Sequence, residues 1–177
     1  MKSFCIVVAA DQKFGIGKDG QMPWHLPADL KHFKEITTSQ TSSGKSPNAV
    51  VMGRKTWEAL PDKFRPLKNR INIVISHNKN LPVPKGVFLS DSLDQALGLA
   101  EKKCNTQGAI FVIGGAQIFK QAIQHPACEK IYMTHVLGDY HCDTFFPDNF
   151  SAFKKIKEKF FKKQGNIGYF FAEYVHF

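Results

Sequence analysis

Apolar residues arrive in short runs at 4–10, 49–52, 71–75 (interrupted at Asn72), 87–89 and 109–113, the last being the strongest. Such runs leave no side for water, so they read as strands, most of them central and covered on both faces. Residues 130–135 predict one more. Segments of helical character lie between them. Residues 28–36 are mostly good helix formers, and Pro27 suits a first helical turn, where a missing N–H costs nothing. Leu26, Leu30 and Phe33 fall at helical spacing and predict one apolar face. Residues 54–60, 93–103 and 116–124 predict three further helices, the second of them capped from the Ser-Asp-Ser stretch at 90–92. Strands alternating with helices predict an α/β fold, doubly wound around a mainly parallel sheet.

The pattern changes toward the C-terminal end. Phe153, Ile156 and Phe160 have helical spacing, yet residues 169–177 read as extended and 164–168 as a turn. The expectation is an antiparallel edge hairpin. Lys154, Lys155, Lys157, Lys159, Lys162 and Lys163 are then solvated charges that discourage sheet-to-sheet association. Residues 11–21 carry Gly15, Gly17 and Gly20, which predicts a mobile loop with unusual backbone angles. Residues 37–48, rich in Ser and Thr, predict a polar surface connection. Residues 61–66 break the preceding helix and make a turn. Neither a repeat nor a linker interrupts the chain, so 1–177 reads as a single domain.

Composition narrows the picture. At 177 residues with 43% apolar content, the chain can bury a sizeable core and is not disordered. Its 16 Phe argue for an aromatic interior or ligand cleft. The net charge of +9 calls for an anionic partner without choosing among nucleotide, acidic substrate and nucleic acid. Cys5, Cys104, Cys128 and Cys142 form no C-x-x-C pair and fit no zinc spacing, so they read as reduced, the compartment as cytoplasmic and the chain as metal-free. Lys2 and the run after it mimic a short signal peptide, but the run gives way to Asp11 and Lys13, which favours a buried first strand. No run approaches the ~20 residues of a membrane helix.

The candidate chemistry starts at Asp29. Phe33, four residues on, shares its side of the helix, and Trp24 arrives from the preceding loop. One reading is an ordinary first-turn acid, favoured by the helix dipole by about 0.3–1 kcal/mol. The other is a lone acid in an apolar pocket, where desolvation raises its pKa and suits it to proton chemistry or to gripping a cationic heterocycle. The glycine loop beside it has the makings of a lid. Two strand–glycine–helix junctions, at Gly53 and at Gly114-Gly115, would lie at strand carboxyl ends and present free N–H groups to an anion. Arg54 and Lys55 add charge at the first. Together they favour a pyrophosphate-bearing nucleotide, although the G-x-G-x-x-G fingerprint is absent.

Taken in order, Met22-Pro23-Trp24 with Leu26-Pro27-Ala28-Asp29-Leu30, Val51-Met52-Gly53-Arg54-Lys55-Thr56-Trp57, Arg65-Pro66-Leu67-Lys68-Asn69-Arg70, Ile113-Gly114-Gly115 and Asp143-Thr144-Phe145-Phe146-Pro147 resemble dihydrofolate reductases over nearly the whole chain. The resemblance implies an eight-stranded, mainly parallel sheet, NADPH as hydride donor and reduction of 7,8-dihydrofolate to tetrahydrofolate. Asp29 matches the family's acid, Thr134 the hydroxyl that supports it, and Trp24 a residue near a proton-carrying water. Val7 and Ile113 match positions whose carbonyls accept from the pterin amino group. Leu30, Phe33, Leu60 and Leu67 match the walls of the benzoyl site, and Arg70 the guanidinium that holds the glutamate α-carboxylate.

On the cofactor side, Gly53, Arg54, Lys55 and Thr56 match the diphosphate site. Ser76 and His77, with Lys55, would face the 2′-phosphate. Ala9, Ile16, Gln117, Ile118 and Phe119 match positions around the dinucleotide, with Ala9 and Ile16 near its nicotinamide. Gly114-Gly115 matches a pair that the family joins by a cis peptide. The glycine loop matches the mobile lid and Asp143 a residue that tethers it. Departures exist. Phe119 stands where many members carry Tyr, Gln117 where Arg is frequent, Asp91 where vertebrate-type members have Arg, and His77 is a weaker phosphate ligand than Arg. The resemblance further implies a monomer that binds dihydrofolate and antifolates, with no nucleic-acid or membrane partner and no fused thymidylate synthase. Two other readings are a pyrimidine reductase of riboflavin synthesis, which Asp29 and Arg70 in their motifs argue against, and a basic nucleic-acid-binding module using Lys154 to Lys163.

Overall fold

Phe4–Ala10 forms the first strand, β1, with the bounds that its apolar run predicts. A computed structural model of the chain describes residues 1–39, 46–105 and 107–177, so the middle of the Ser/Thr-rich connection lies outside the described residues. Gly15–Gly17 (β2) and Pro27–Thr38 (α1) follow, then Asn48–Gly53 (β3) running into Arg54–Ala59 (α2). Arg70–Ile75 (β4), Val87–Ser90 (β5), Leu93–Cys104 (α3), Ile110–Gly114 (β6), Ala116–Ala122 (α4) and Cys128–Val136 (β7) continue the alternation. Thr144–Phe145 (β8), Phe153–Glu158 (β9), Lys162–Gln164 (β10) and Ile167–His176 (β11) complete the chain. The predicted turn at 61–66 contains a single 3-10 turn, Asp62–Phe64, and a cis Arg65–Pro66 bond.

The strand order is β5-β4-β3-β6-β1-β7-β11. Every neighbouring pair is parallel as far as β7, and β11 runs antiparallel to it. β9 and β10 share the outer edge of β11, pairing with residues 172–176 and 167–169. Among the described residues the sheet therefore has nine strands in eight positions. The expected edge hairpin is present, with its outer arm broken in two at residues 159–161 rather than continuous. Phe160, in that break, is 93% exposed, so the helical spacing of Phe153, Ile156 and Phe160 served no packing face.

Alternate residues of the central strands feed two cores, as a doubly wound sheet requires. Phe4, Ile6, Val8, Val51, Ile73 and Val112 pack with Leu97 of α3 and Phe119 of α4. Cys5, Val7, Val50, Met52 and Val74 pack with Trp57 of α2 and Phe33 of α1 on the other face. Ser92 caps α3, its hydroxyl accepting from the Gln95 N–H at 3.3 Å.

The glycine loop departs from expectation. Only Gly20 of its three glycines has a positive φ (78°), while Phe14 (61°) and Asp19 (50°) also adopt one. Gly15 and Gly17 instead form β2, which pairs with β8. Gly15 is required by close approach: a Cβ there would lie 2.4 Å from the Cys142 Cβ. The connection predicted at 37–48 is not wholly superficial, because Thr37, Ser46 and Asn48 are buried. Asn48 Nδ2 donates to the carbonyls of Thr37 (3.1 Å) and Ser39 (2.9 Å). All four cysteines are free. Among the described residues no helix is long and apolar enough to cross a membrane.

Candidate active site

The β1–β6 ladder ends at the pair Ile6 and Val112. Beyond it β1 follows β7 as far as Ala10 and His135, while β6 follows β3 as far as Gly114 and Met52. The two strands part at their carboxyl ends, the position where open α/β sheets bind ligands. Val7 and Ile113 are the first residues past the last pair. Ala9 lies farther along, in register with Thr134.

α1 brings the acid to this opening. Asp29 sits in its first turn and is 8% exposed. The Thr134 hydroxyl donates to Asp29 Oδ1 at 2.6 Å across 105 residues of sequence. Burial pushes the Asp29 carboxyl above the ordinary aspartate pKa, and the Thr134 hydrogen bond offsets that only in part. Asp29 is thus a first-turn acid that is also desolvated, the condition that the second reading requires. Trp24 is buried beside Leu26, Val136 and Tyr169, its ring edge-on to Tyr140 at 5.1 Å. Its Nε1 is buried and has no hydrogen-bond partner among the described residues.

The predicted apolar face of α1 is split. Leu26 is in the core and Phe33 is partly buried, but Leu30 is 42% exposed, on the open side of the helix. Arg70, at the start of β4, lies over the Phe33 ring at 5.7 Å and donates from Nη1 to Thr37 Oγ1 at 2.7 Å. Leu67 is buried and Leu60 partly so, both in the same apolar cluster as Phe33. The turn that carries Leu67 and Arg70 is held by buried Asn72, which accepts from the Leu67 N–H and donates to the Leu67 and Arg70 carbonyls, each at 2.9 Å.

Pairing of Met52 with Gly114 sets the two glycine junctions side by side. A Cβ on Gly114 would lie 3.2 Å, and one on Gly115 3.1 Å, from Thr56 Oγ1, so the Thr56 hydroxyl rests over the diglycine. The Gly114–Gly115 bond is cis. The residues that precede α2 and α4, Gly53 and Gly115, supply no side-chain cap to the first-turn N–H groups. Arg54 is exposed and pairs with Glu58 at 3.5 Å. Lys55, His77 and Gln117 are exposed, and Ser76 is buried, its Oγ accepting from the Asn78 N–H at 3.1 Å. Ile118 and Phe119 are buried, the latter edge-on to Phe146 at 5.2 Å. Ile16, in β2, packs against the first core. The loop that carries it is tethered by Asp143, whose N–H donates to the Gly17 carbonyl at 3.0 Å and whose Oδ2 accepts from the Asp19 N–H at 2.8 Å.

The buried acid, the diglycine and the tethered loop all lie at the carboxyl-end side of β1, β6 and β7, and the sequence can be set beside known proteins on that basis. The family model described as dihydrofolate reductase matches residues 3–176. The chain belongs to the dihydrofolate reductase family. The dihydrofolate reductase of Heliothis virescens is 38% identical over 96% of this chain and 95% of its own length. That of Pneumocystis carinii is 42% identical over 84% of the chain and 76% of its own length. The structure of Schistosoma mansoni dihydrofolate reductase superposes with a TM-score of 0.85 at 35% identity, covering 99% of this chain and 98% of that one. The bifunctional dihydrofolate reductase-thymidylate synthase of Glycine max is 43% identical over 98% of the chain, and the chain spans about a third of it (34%).

The opening between β1 and β6 lies at the carboxyl ends of the two strands. Three residues that shape it escaped the sequence reading. Thr37 orients Arg70, Asn72 holds the Arg70 turn, and Asp11 collects donors under the loop. Asn72 is a polar residue inside an apolar strand run, which was a visible signal. Thr37 and Asp11 gave none.

Proposed function

We propose that the chain reduces 7,8-dihydrofolate to 5,6,7,8-tetrahydrofolate with NADPH as the hydride donor. The observation that carries the reading is the buried Asp29, held by Thr134 at the mouth of the β1–β6 cleft. The cleft suits a dinucleotide. Gly53, Gly114 and Gly115 present no Cβ, the Thr56 hydroxyl lies over the diglycine, and the adjoining N–H groups lack side-chain caps. Gly53, Arg54, Lys55 and Thr56 would hold the diphosphate. Lys55, Ser76 and His77 would face the 2′-phosphate, and Ala9, Ile16, Ile118 and Phe119 would line the remainder with Gln117 at the rim. When bound, the cofactor supplies the hydride.

The chain's own residues do the rest. Asp29 accepts two parallel N–H bonds from the pterin's amino group and ring nitrogen, a paired contact that fixes the ring's orientation. Val7 and Ile113 offer carbonyls to the same amino group. Phe33, Leu60 and Leu67 enclose the benzoyl ring with Leu30 on the open side, and Arg70 forks onto the α-carboxylate. The hydride adds at C6, and N5 gains a proton. A carboxyl whose pKa is raised by burial holds a proton closer to neutral pH than a solvated one does. The Trp24 Nε1–H, a buried donor, would orient the water that delivers the proton to N5.

The test is an absorbance assay of cofactor oxidation with and without dihydrofolate. The expected result is oxidation of NADPH that depends on dihydrofolate and exceeds that of NADH. Absence of any dihydrofolate-dependent oxidation would contradict the proposal.

A further inference from the structure

Asp11 follows β1 at the base of the glycine loop and is 2% exposed. Its two carboxylate oxygens serve different segments. Oδ1 accepts from the backbone N–H groups of Lys13 and Gly15, both at 2.8 Å. Oδ2 accepts from the Tyr140 N–H at 3.1 Å and from the Cys142 thiol at 3.7 Å. One side chain therefore joins the lid to the loop that follows β7. The Lys13–Asp139 ion pair at 2.6 Å and the Gln12 N–H to Gly138 carbonyl bond at 3.3 Å join the same two segments. Lys13 and Gln12 are exposed, whereas Asp11 is enclosed.

A carboxylate withdrawn from water needs donors on both oxygens. No neutral amide can replace it here. Asn offers one acceptor oxygen, and its NH2 would meet N–H or S–H donors on one side whichever way it turned. Ile16, assigned above to the nicotinamide end of the cleft, lies between Gly15 and Gly17 of β2, directly beyond this clasp.

We propose that Asp11 is a positioning residue for hydride transfer: it locks the lid against residues 138–142 and thereby sets Ile16 over the cleft. The proposal rests on the reductase reading above. Asp11 touches neither substrate nor cofactor in that reading, so its removal should act on the reacting geometry and not on substrate affinity.

The experiment combines single-turnover hydride transfer, steady-state KM for dihydrofolate and backbone amide exchange in the ligand-free protein. For Asp11→Asn the expected results are a hydride-transfer rate lower by about tenfold or more and a KM within about threefold of the parent. Amide exchange should be faster at Gly15 and Tyr140 and unchanged at Ile6 and Val112. A second variant does not depend on how Asp11→Asn folds. Gly15→Ala places a Cβ 2.4 Å from Cys142 Cβ and 2.5 Å from its Sγ, which pries the same two segments apart. It should show the same loss, and Gly15→Ala/Cys142→Gly, which removes the two closest atoms and leaves Asp11 Oδ1 at 3.0 Å, should recover part of the rate. An unchanged hydride-transfer rate in Asp11→Asn despite faster loop exchange would overturn the proposal. So would a failure of the double variant to recover, or a loss confined to KM. If the parent protein itself shows no dihydrofolate reduction, the reductase reading fails instead, and the exchange data then report the clasp alone.

Discussion

Thr134 Oγ1 lies 2.6 Å from Asp29 Oδ1, and this is the one side-chain hydrogen bond found for that carboxylate among the described residues. The hydroxyl favours the charged acid while burial disfavours it, and burial prevails. Thr134→Val keeps the shape and removes the donor. The Asp29 pKa then rises further, so the high-pH fall in kcat/KM is expected at a higher pH than in the parent. A pH–rate profile of both proteins checks this, and an unmoved limb counts against the hydrogen bond's role.

The same raised pKa makes a claim about stability. The folded protein holds the Asp29 proton more tightly than the unfolded chain, so stability falls as pH rises from the ordinary aspartate range through the raised value. Above that window the parent carries a buried charge. Asp29→Asn removes it, and is expected to melt higher than the parent at neutral pH, by roughly a few degrees for a domain of this size. The difference should shrink on acidification below the ordinary aspartate range. Thermal melts at several pH values would show it, and an advantage that grew in acid would contradict the sign.

Arg70 receives its orientation from Thr37 and Phe33. Arg70→Lys keeps the charge and loses the fork. A charge-assisted hydrogen bond contributes about 1.5–3 kcal/mol, so the KM for dihydrofolate should rise roughly 10- to 100-fold while the NADPH Kd stays put. Thr37→Val should reproduce a smaller part of the effect. Steady-state kinetics with a parallel cofactor titration separate the two ligands.

Gly114 has φ +132°, where an L residue is strained, and a Cβ there would press on Thr56 Oγ1 at 3.2 Å and the Phe119 ring at 3.5 Å. Gly114→Ala is expected to cost about 1–3 kcal/mol and to weaken cofactor binding. Gly98, inside α3 with nothing within 4 Å of its would-be Cβ, gives the contrast. Gly98→Ala should stabilise by roughly 0.5–1 kcal/mol and leave cofactor binding alone. Denaturant unfolding and NADPH fluorescence titration measure both.

These outcomes depend on features that the chain discloses unevenly. The strands of the buried sheet were legible because uninterrupted apolar runs such as 4–10 admit no other placement. Asp29, Arg70 and the diglycine were legible because they sit in dense local motifs. Other features depend on partners far away in the chain. β2 is three residues long and is a strand only because Thr144–Phe145 pairs with it. The clasp on Asp11 needs Tyr140 and Cys142, which no local pattern ties to it. Leu30 obeyed helical spacing yet lies 42% exposed, because spacing along a helix does not say how wide a stripe the sheet covers. The broken arm of the edge hairpin was hidden because Phe153, Ile156 and Phe160 fall at helical spacing among solvated lysines, a period that the two short strands there do not use.

The central claim is that a desolvated carboxyl at position 29 serves the pterin. The measurement that tests it most directly is the rate of hydride transfer to dihydrofolate in Asp29→Asn across pH. The account predicts that most of the turnover is lost near neutral pH and that part of it returns in acid, where the substrate arrives already protonated. A variant as active as the parent at neutral pH, or one whose defect does not change with pH, would contradict it.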